Sequence, residues 1–593
     1  MIRGSSCRKV SFLLSAGKRQ GRGHVRSLSA AWLTTDAAPT RTRTKASSLP
    51  SPISSSSHPF RLPIITVVQR RSLSSFLSHE NEEKGEGEFP KKEAGGSLPP
   101  VAVSAVVEKG DTVKLQLLNT DHASNEESTT AFHAAWLWVN DPKYIHPSSG
   151  QRLRTIGQFY LDQNDSRSIQ SARIINSRNE KLQEIIPPPP PRGSYHPIGG
   201  IYQDTASDAE PNSKEEGYLE IQWNNNHSNK EKSYYSLDWL VSQRYDSKTL
   251  DRHNDQTRIT KDIALNSQTE LIPREFAQVM SDDASLLQVF DDLNKFGVSL
   301  LRVDPSQEKP NMDDNDSIVA QLGKRLSGGR LSHGALYDDV FHVQAAAGNK
   351  GHNLAYTTHA LPPHQDLTYY ESKPFLQLLH CLSNTNVKGG QSILMDAMAA
   401  AQEFQSLAPD FFDILTEVEA TFLKQLSGAD MISWKPHIVY ASSNVGNSQK
   451  DVVAVHWSPP FEGPLLVEHH LVQDYAMAYA AFETMLDKHA SIAKNNSSLA
   501  PELVSQLQDY AQTYTWEQSL KEGQILIFNN QRMLHGRREF ELTTTNSKRH
   551  LMGCYTNVDE TLSQYRLLLR QQRNDYDDLH YIRNAGNGVR GSW

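Results

Sequence analysis

Two short stretches far apart in the chain constrain its fold more than anything else in it. His364-Gln365-Asp366 lies inside the segment 353–396, and His535 follows an apolar run in LIFNNQRMLHGRREF, residues 526–540. In an extended strand, side chains at i and i+2 leave the same face. A His and a carboxylate at that spacing can hold one metal ion from a rigid element. Two imidazoles plus one carboxylate, with the remaining positions open, is the facial triad of non-heme Fe(II) oxygenases. Bare HxD also has a plainer reading, a His and an Asp satisfying hydrogen bonds near a strand end. A distant second His shifts that balance. So does Arg549 in KRHLMGCY, whose guanidinium can grip a carboxylate bidentately. Metal, distant His and carboxylate clamp together suggest 2-oxoglutarate as co-substrate. A fold for this chain must bring these remote segments to one place, as a barrel does with ligands from its opposite ends.

The rest of the chain divides by composition. Residues 1–79 contain one acid, Asp36, among many Arg, Lys and Ser. Arg-rich, Ser-rich and acid-poor is the signature of an organellar transit peptide, mitochondrial before plastid, with a disordered basic tail as the plainer reading. Residues 80–100 switch to mixed charge with Gly and Pro and read as a linker. Residues 101–265 read as a small N-terminal domain. VAVSAVVEKGDTVKLQLL turns like a hairpin, and YLEIQW at 218–223 alternates like a strand. Between them, 162–216 is polar, carries five prolines at 187–191, and reads as an extended insertion with no core to bury. The main domain is placed at 266–580, with a tail at 581–593. Helical spacing over 274–296 stops at Gly297, and VSLLRV and GQILIFNN read as buried strands. Helices are also expected at 317–327, 471–490 and 562–576.

The hydrophobic share of 37% is low enough to expect disorder in part of the chain. The net charge of −8 gives no reason to expect a nucleic-acid partner. No apolar run reaches the ~18–20 residues that span a membrane. Three cysteines, Cys7, Cys381 and Cys554, exclude a disulfide scaffold.

Residues 353–396 and 526–570 resemble the gamma-butyrobetaine dioxygenase and trimethyllysine dioxygenase family, within the larger taurine-dioxygenase-like group. The resemblance covers 266–580 well and 100–265 poorly. It implies a mainly β protein with flanking helices: a double-stranded β-helix (jelly-roll, cupin-like) core behind a small N-terminal α+β domain. It implies that His364, Asp366 and His535 hold Fe(II), that 2-oxoglutarate and O2 take the open positions, and that ascorbate is the reductant. Arg549 matches the arginine that binds the distal carboxylate of 2-oxoglutarate. Ser392 sits where relatives have an assisting Ser or Thr, or else caps the turn after Gly389-Gly390. Leu361 lines the same pocket. Arg537 and Arg538 match a family HGRR run, or are surface or structural charges.

For the substrate, the resemblance implies a trimethylammonium group. Such a group cannot donate a hydrogen bond, so ring faces must hold it, at ~0.5–2 kcal/mol per contact. Tyr337, Phe341, Tyr356 and Tyr555 align with the family's aromatic cage, or else are core aromatics. Phe341 stands where animal gamma-butyrobetaine enzymes have a tryptophan. Asn353 matches an asparagine that binds the substrate carboxylate. A second such asparagine is replaced by Ser458. The run NLAYTT favours the gamma-butyrobetaine enzyme, whereas DLTY and GCY favour the trimethyllysine enzyme. The expected reaction is hydroxylation of gamma-butyrobetaine to L-carnitine, with trimethyllysine hydroxylation as the alternative. A non-catalytic methylammonium-binding module is the reading from another class.

The family's N-terminal domain carries a zinc held by three cysteines and a histidine. Its W-L-R-D-N-C pattern appears here as Trp136-Leu137-Trp138-Val139-Asn140-Asp141, and no Cys lies between 8 and 380. A site rebuilt from His133, His146 and His227 is weighed against plain histidines, and no structural zinc is expected. The resemblance also implies a homodimer, with 562–576 as a candidate interface.

Overall fold

The computed structural model describes residues 101–573 apart from 119–126, 147–148, 150, 162–167, 177–216, 225–230, 247–258, 305–313, 335, 345–353, 427, 443–449 and 491–498. The expected transit segment, linker, proline run and tail, together with His227 and Asn353, lie outside the described residues.

The centre of the C-terminal part is a six-stranded sheet. Its order is Arg274–Glu275, Val298–Arg302, Gln524–Asn529, Leu376–Thr385, Lys548–Tyr555, Val340–Gln344. Neighbours run antiparallel except Arg274–Glu275, which is parallel to the strand beside it. The strand Gln524–Asn529 shows why the run ILIF is apolar throughout. Ile525 and Ile527 pack among Leu286, Phe290 and Leu322 of helices on one face. Leu526 and Phe528 face the other way, against Leu394, Trp516 and Met533. Burying four such side chains contributes roughly 6–12 kcal/mol before ordering entropy is subtracted.

Leu394, Trp516 and Met533 belong to a second sheet, ordered Leu361–His364, Met533–Arg537, Ser392–Asp396, Trp516–Gln518. The two sheets therefore share one core. The helix Asp283–Phe296 closes the outer face of the larger sheet. Asp282 caps it, accepting from Ser285 N–H at 2.8 Å, and Gly297 ends it at φ 74°. A Cβ there would stand 2.6 Å from Met533 Sδ, so both conformation and space require glycine. Between Asp396 and Trp516 the chain builds a separate apolar cluster from the helices Ala397–Leu407, Pro409–Glu417, Val472–Leu486 and Pro501–Tyr514.

Residues 101–245 form two three-stranded antiparallel sheets, Val101–Glu108/Thr112–Leu118/Glu127–His133 and Ser168–Asn176/Gly217–Asn224/Lys232–Ser236. They share a cluster around Leu115, Phe132, Leu219, Trp223 and Tyr235. One expectation fails here. The segment 162–216 was read as an insertion with nothing to bury, yet Ser168–Asn176 pairs along its whole length with Gly217–Asn224. A bulge between Ile169 and Ser171 shifts the register. Ile169 on one side of it, and Ala172 and Ile174 on the other, all reach the cluster. That one-residue slip breaks the alternation a strand shows in sequence.

At the position of the family's cysteine, the buried Asp141 closes a polar network. Trp223 Nε1 donates to Ser233 Oγ at 2.7 Å, and Ser233 Oγ donates to Asp141 Oδ2 at 2.5 Å. His133 Nδ1 accepts from Ala135 N–H, and His146 Nδ1 accepts from Ser149 N–H.

Candidate active site

His364 ends the strand Leu361–His364, which lies against Met533–Arg537 with His364 directly opposite His535. That register brings the two rings to a centroid distance of 4.3 Å. His364 Nδ1 is 2.8 Å from the carbonyl of Pro362 and donates to it, so Nε2 is the nitrogen turned toward Asp366. The strand of His535 is anchored at its start by Arg532, a fully buried residue paired with Asp396 at 2.6 Å.

Asp366 departs from the expected geometry. The strand stops at His364, and Asp366 opens a turn in which Leu367 takes φ 59°. Strand alternation therefore does not aim it. Asn530 does: its Oδ1 accepts the Asp366 N–H at 2.9 Å, and its Nδ2 donates to the Asp366 carbonyl at 3.0 Å. The intervening Gln365 points away from the pocket. Its Oε1 accepts from the buried Lys373 Nζ at 2.8 Å and its Nε2 donates to the Gln531 carbonyl at 3.1 Å. Ser458, at the second asparagine position, is also buried and donates to the Gln365 carbonyl at 2.9 Å.

The carboxylate reaches both imidazoles. Oδ1 is 3.4 Å from His364 Nε2, and Oδ2 is 3.7 Å from His535 Nε2. One ligand atom from each of the three residues lies within 4.8 Å of the others. Burial, and then the neighbouring His364, push the His535 imidazole down to about 3, so it is neutral, the form that ligates a metal. Burial raises the Asp366 carboxyl, while the imidazoles and the Tyr555 hydroxyl lower it by more, and it stays charged. Two imidazole nitrogens and one carboxylate oxygen, lying within 4.8 Å of one another, fit a divalent iron.

The same cavity gathers the other expected residues. Tyr337, Phe341, Tyr356, Leu361, Ser392, Arg549 and Tyr555 all line it. Leu361 and Ser392 both lie opposite Arg537, one from each side of its strand. The Arg549 guanidinium is buried, and among the described residues no acid pairs with it. Burial lowers it to about 10. Gly390, at φ 71°, lies beneath it: a Cβ there would be 3.4 Å from Arg549 Nε and 3.2 Å from Phe540 Cβ. Phe341 stacks on Tyr555 at 4.9 Å, and Tyr337 meets both rings edge-on. Burial raises the Tyr337 hydroxyl to about 12.

Sequence reasoning missed Gln377 and Phe461, and it left Arg537 undecided between function and structure. All three line the cavity. Gln377 had a faint signal, a lone amide in the buried strand around Leu376, Leu378 and Leu379. Phe461 comes from the turn after Ser458-Pro459-Pro460 and had none. Arg538 points elsewhere and pairs with Glu517 at 3.3 Å.

The family described as "Taurine catabolism dioxygenase TauD, TfdA family" matches residues 260–555. A gamma-butyrobetaine dioxygenase from Pseudomonas sp. (strain AK-1) is 27% identical over 356 residues, covering 60% of this chain and 80% of that one. Dioxygenase str8 from Strobilurus tenacellus is 25% identical over 356 residues, covering 59% and 74%. The mitochondrial trimethyllysine dioxygenase of Rattus norvegicus is 25% identical over 338 residues, covering 56% and 69%.

Proposed function

We propose that this chain, a 2-oxoglutarate-dependent dioxygenase whose residues 260–555 belong to the TauD, TfdA family, hydroxylates gamma-butyrobetaine to L-carnitine. The observation that carries the reading is one cavity with three chemically distinct parts: the His364–Asp366–His535 cluster, the unpaired Arg549 guanidinium, and the aromatic wall of Tyr337, Phe341, Tyr356 and Tyr555.

Each part has a separate task. A bound iron would supply the oxidising chemistry, in which one atom of O2 enters succinate as 2-oxoglutarate loses carbon dioxide and the other becomes the hydroxyl on an unactivated C–H carbon. Arg549 takes the distal carboxylate of the co-substrate, and Ser392 and Leu361 shape the space around it. The Pro362 carbonyl keeps the His364 proton on Nδ1, away from the metal. The ring faces hold the trimethylammonium head, and the depth of the pocket keeps bulk water from the reacting carbon. Among the described lining residues, Asp366 is the one carboxylate, and it is committed to the metal. The α-ammonium of trimethyllysine has no acid to meet there, whereas gamma-butyrobetaine needs none. The two facing sheets are read as the double-stranded β-helix, with 101–265 as a separate small domain. The Arg- and Ser-rich segment 1–79 is read as a mitochondrial leader.

The test is the full chain loaded with Fe(II), given 2-oxoglutarate, ascorbate and equal amounts of gamma-butyrobetaine and trimethyllysine. The expected result is succinate release coupled to a one-oxygen mass gain in gamma-butyrobetaine. Product from trimethyllysine alone would move the enzyme to that reaction. Tight binding of either ligand with no succinate would favour the binding-module reading.

A further inference from the structure

We infer that Tyr555 and Gln377 are positioning residues for the metal-binding carboxylate, filling Asp366 Oδ2 so that Oδ1 is the atom offered to the metal. The inference rests on the metal reading above and goes beyond it to the mode of ligation. Tyr555 donates its hydroxyl to Asp366 Oδ2 at 2.7 Å, and Gln377 Nε2 donates to the same atom at 2.9 Å. A carboxylate oxygen has two lone-pair sites, and these two donors occupy both.

Three observations show that the arrangement is built rather than incidental. Gln377 and Tyr555 are directly opposite each other across the pair Leu376–Thr385/Lys548–Tyr555, so the sheet register delivers both side chains to one point. Both are buried, at 2% and 4% exposure. The amide of Gln377 can also turn only one way, because a carboxylate accepts and never donates. That orientation leaves Gln377 Oε1 buried with no hydrogen-bond partner among the described residues. An apolar side chain of similar shape would avoid that cost, so the position is explained by the donor it presents to Asp366. Asn530 meanwhile holds the Asp366 backbone from both sides. The carboxylate is thus fixed at main chain and at one oxygen, and its other oxygen faces His364 Nε2.

The consequence is denticity. A facial triad works because three positions stay open on the metal. A carboxylate binding through both oxygens would take one of them, and a chelating co-substrate plus oxygen would no longer fit. Tyr555 and Gln377 prevent this by occupying the second oxygen. Tyr555 does so while its ring forms part of the aromatic wall, so its hydroxyl and its ring serve different groups.

The experiment uses the full chain stripped of metal, with Co(II) as the probe. Affinity is followed by titration, and coordination by the visible ligand-field spectrum. Tyr555→Phe, which keeps the ring, and Gln377→Met are each expected to weaken Co(II) binding about 10-fold, in line with losses of 10–100-fold for outer partners of metal ligands. Both should also alter the spectrum, because coordination changes, while a purely structural role would leave the spectrum as it is. Tyr555→Phe stands on its own if Gln377→Met fails to fold. His364→Ala separates the two levels of the argument. If it abolishes Co(II) binding while Tyr555→Phe and Gln377→Met bind as the parent does with the parent spectrum, this inference is overturned and the metal site stands. If His364→Ala also binds as the parent does, the metal site falls and takes this inference with it.

Discussion

Two arginines, one from each of the two large sheets, enter the same pocket and differ in their partners. Arg537 and Arg549 are both buried, at 4% and 8% exposure. Arg537 donates to the carbonyls of Ala355, Thr357 and His359 at 3.0, 2.7 and 2.7 Å. It staples the segment before the His364 strand to the pocket wall. Arg549 meets no acid among the described residues and lies at 5.2 Å from the Phe540 ring. Burying a charge costs several kcal/mol unless partners repay it. Arg537 is repaid by its own chain. Arg549 has no acid beside it among the described residues, and this contrast supports the proposal that it binds an anion from outside more sharply than its position in a motif does.

The comparison holds only if the metal end of the pocket is what the anion is placed against. Asp366→Ala should therefore have the largest effect, abolishing Co(II) binding and reducing succinate release to the level of buffer. Retained metal binding in this variant would remove the reason for an anion site beside it. Arg549→Ala comes next. Losing a bidentate charge-assisted contact of about 3 kcal/mol should raise the KM for 2-oxoglutarate about 100-fold. At saturating 2-oxoglutarate kcat should move much less, because the contact is made equally before and during the reaction. An unchanged KM would make Arg549 a second structural arginine and erase the contrast.

The next variant tests the other member of the pair. Arg537→Met should cost about 2 kcal/mol of stability, since it removes the charged donor that three carbonyls share. It would be read as a lower urea midpoint at unchanged slope. Its KM for 2-oxoglutarate should rise far less than that of Arg549→Ala. The reverse pattern, a stable protein with a large KM defect, would exchange the roles of the two residues.

How much of this was readable without coordinates follows from how local each signal is. His364, Asp366, His535, Arg549 and the four tyrosine and phenylalanine positions stand in short runs whose spacing survives in sequence, and the fold brings them to one cavity. Gly297 announced the end of its helix because a left-handed residue needs glycine there. The failures come from contacts between segments far apart in the chain. The aim of Asp366 depends on Asn530, far along the chain, and not on alternation within a strand. The strand Ser168–Asn176 was hidden by a bulge. Gln377 matters because it faces Tyr555 across two paired strands, and pairing is invisible in either strand alone. Arg537 and Arg549 carry the same side chain in similar local sequence, and only their partners tell them apart.

The smallest expected effect concerns the aromatic wall, where the proposed recognition rests on ring faces instead of charge. Phe341 stacks on Tyr555 at 4.9 Å and packs beside Tyr337. Phe341→Leu keeps an apolar side chain and removes the π face. If that face contributes about 0.5–1 kcal/mol, the KM for gamma-butyrobetaine should rise roughly 2–5-fold. Packing changes alone could produce a shift of this size, so the discriminating measurement uses a neutral isostere in which a tert-butyl group replaces the trimethylammonium. Phe341→Leu should erode the preference for the charged substrate over the isostere. An equal loss for both would mean that Phe341 merely fills space, and the aromatic wall would have to be credited to Tyr337, Tyr356 and Tyr555. On the proposed reading the KM for 2-oxoglutarate should stay put in either outcome, because the anion is assigned to Arg549 and the cation to the ring faces.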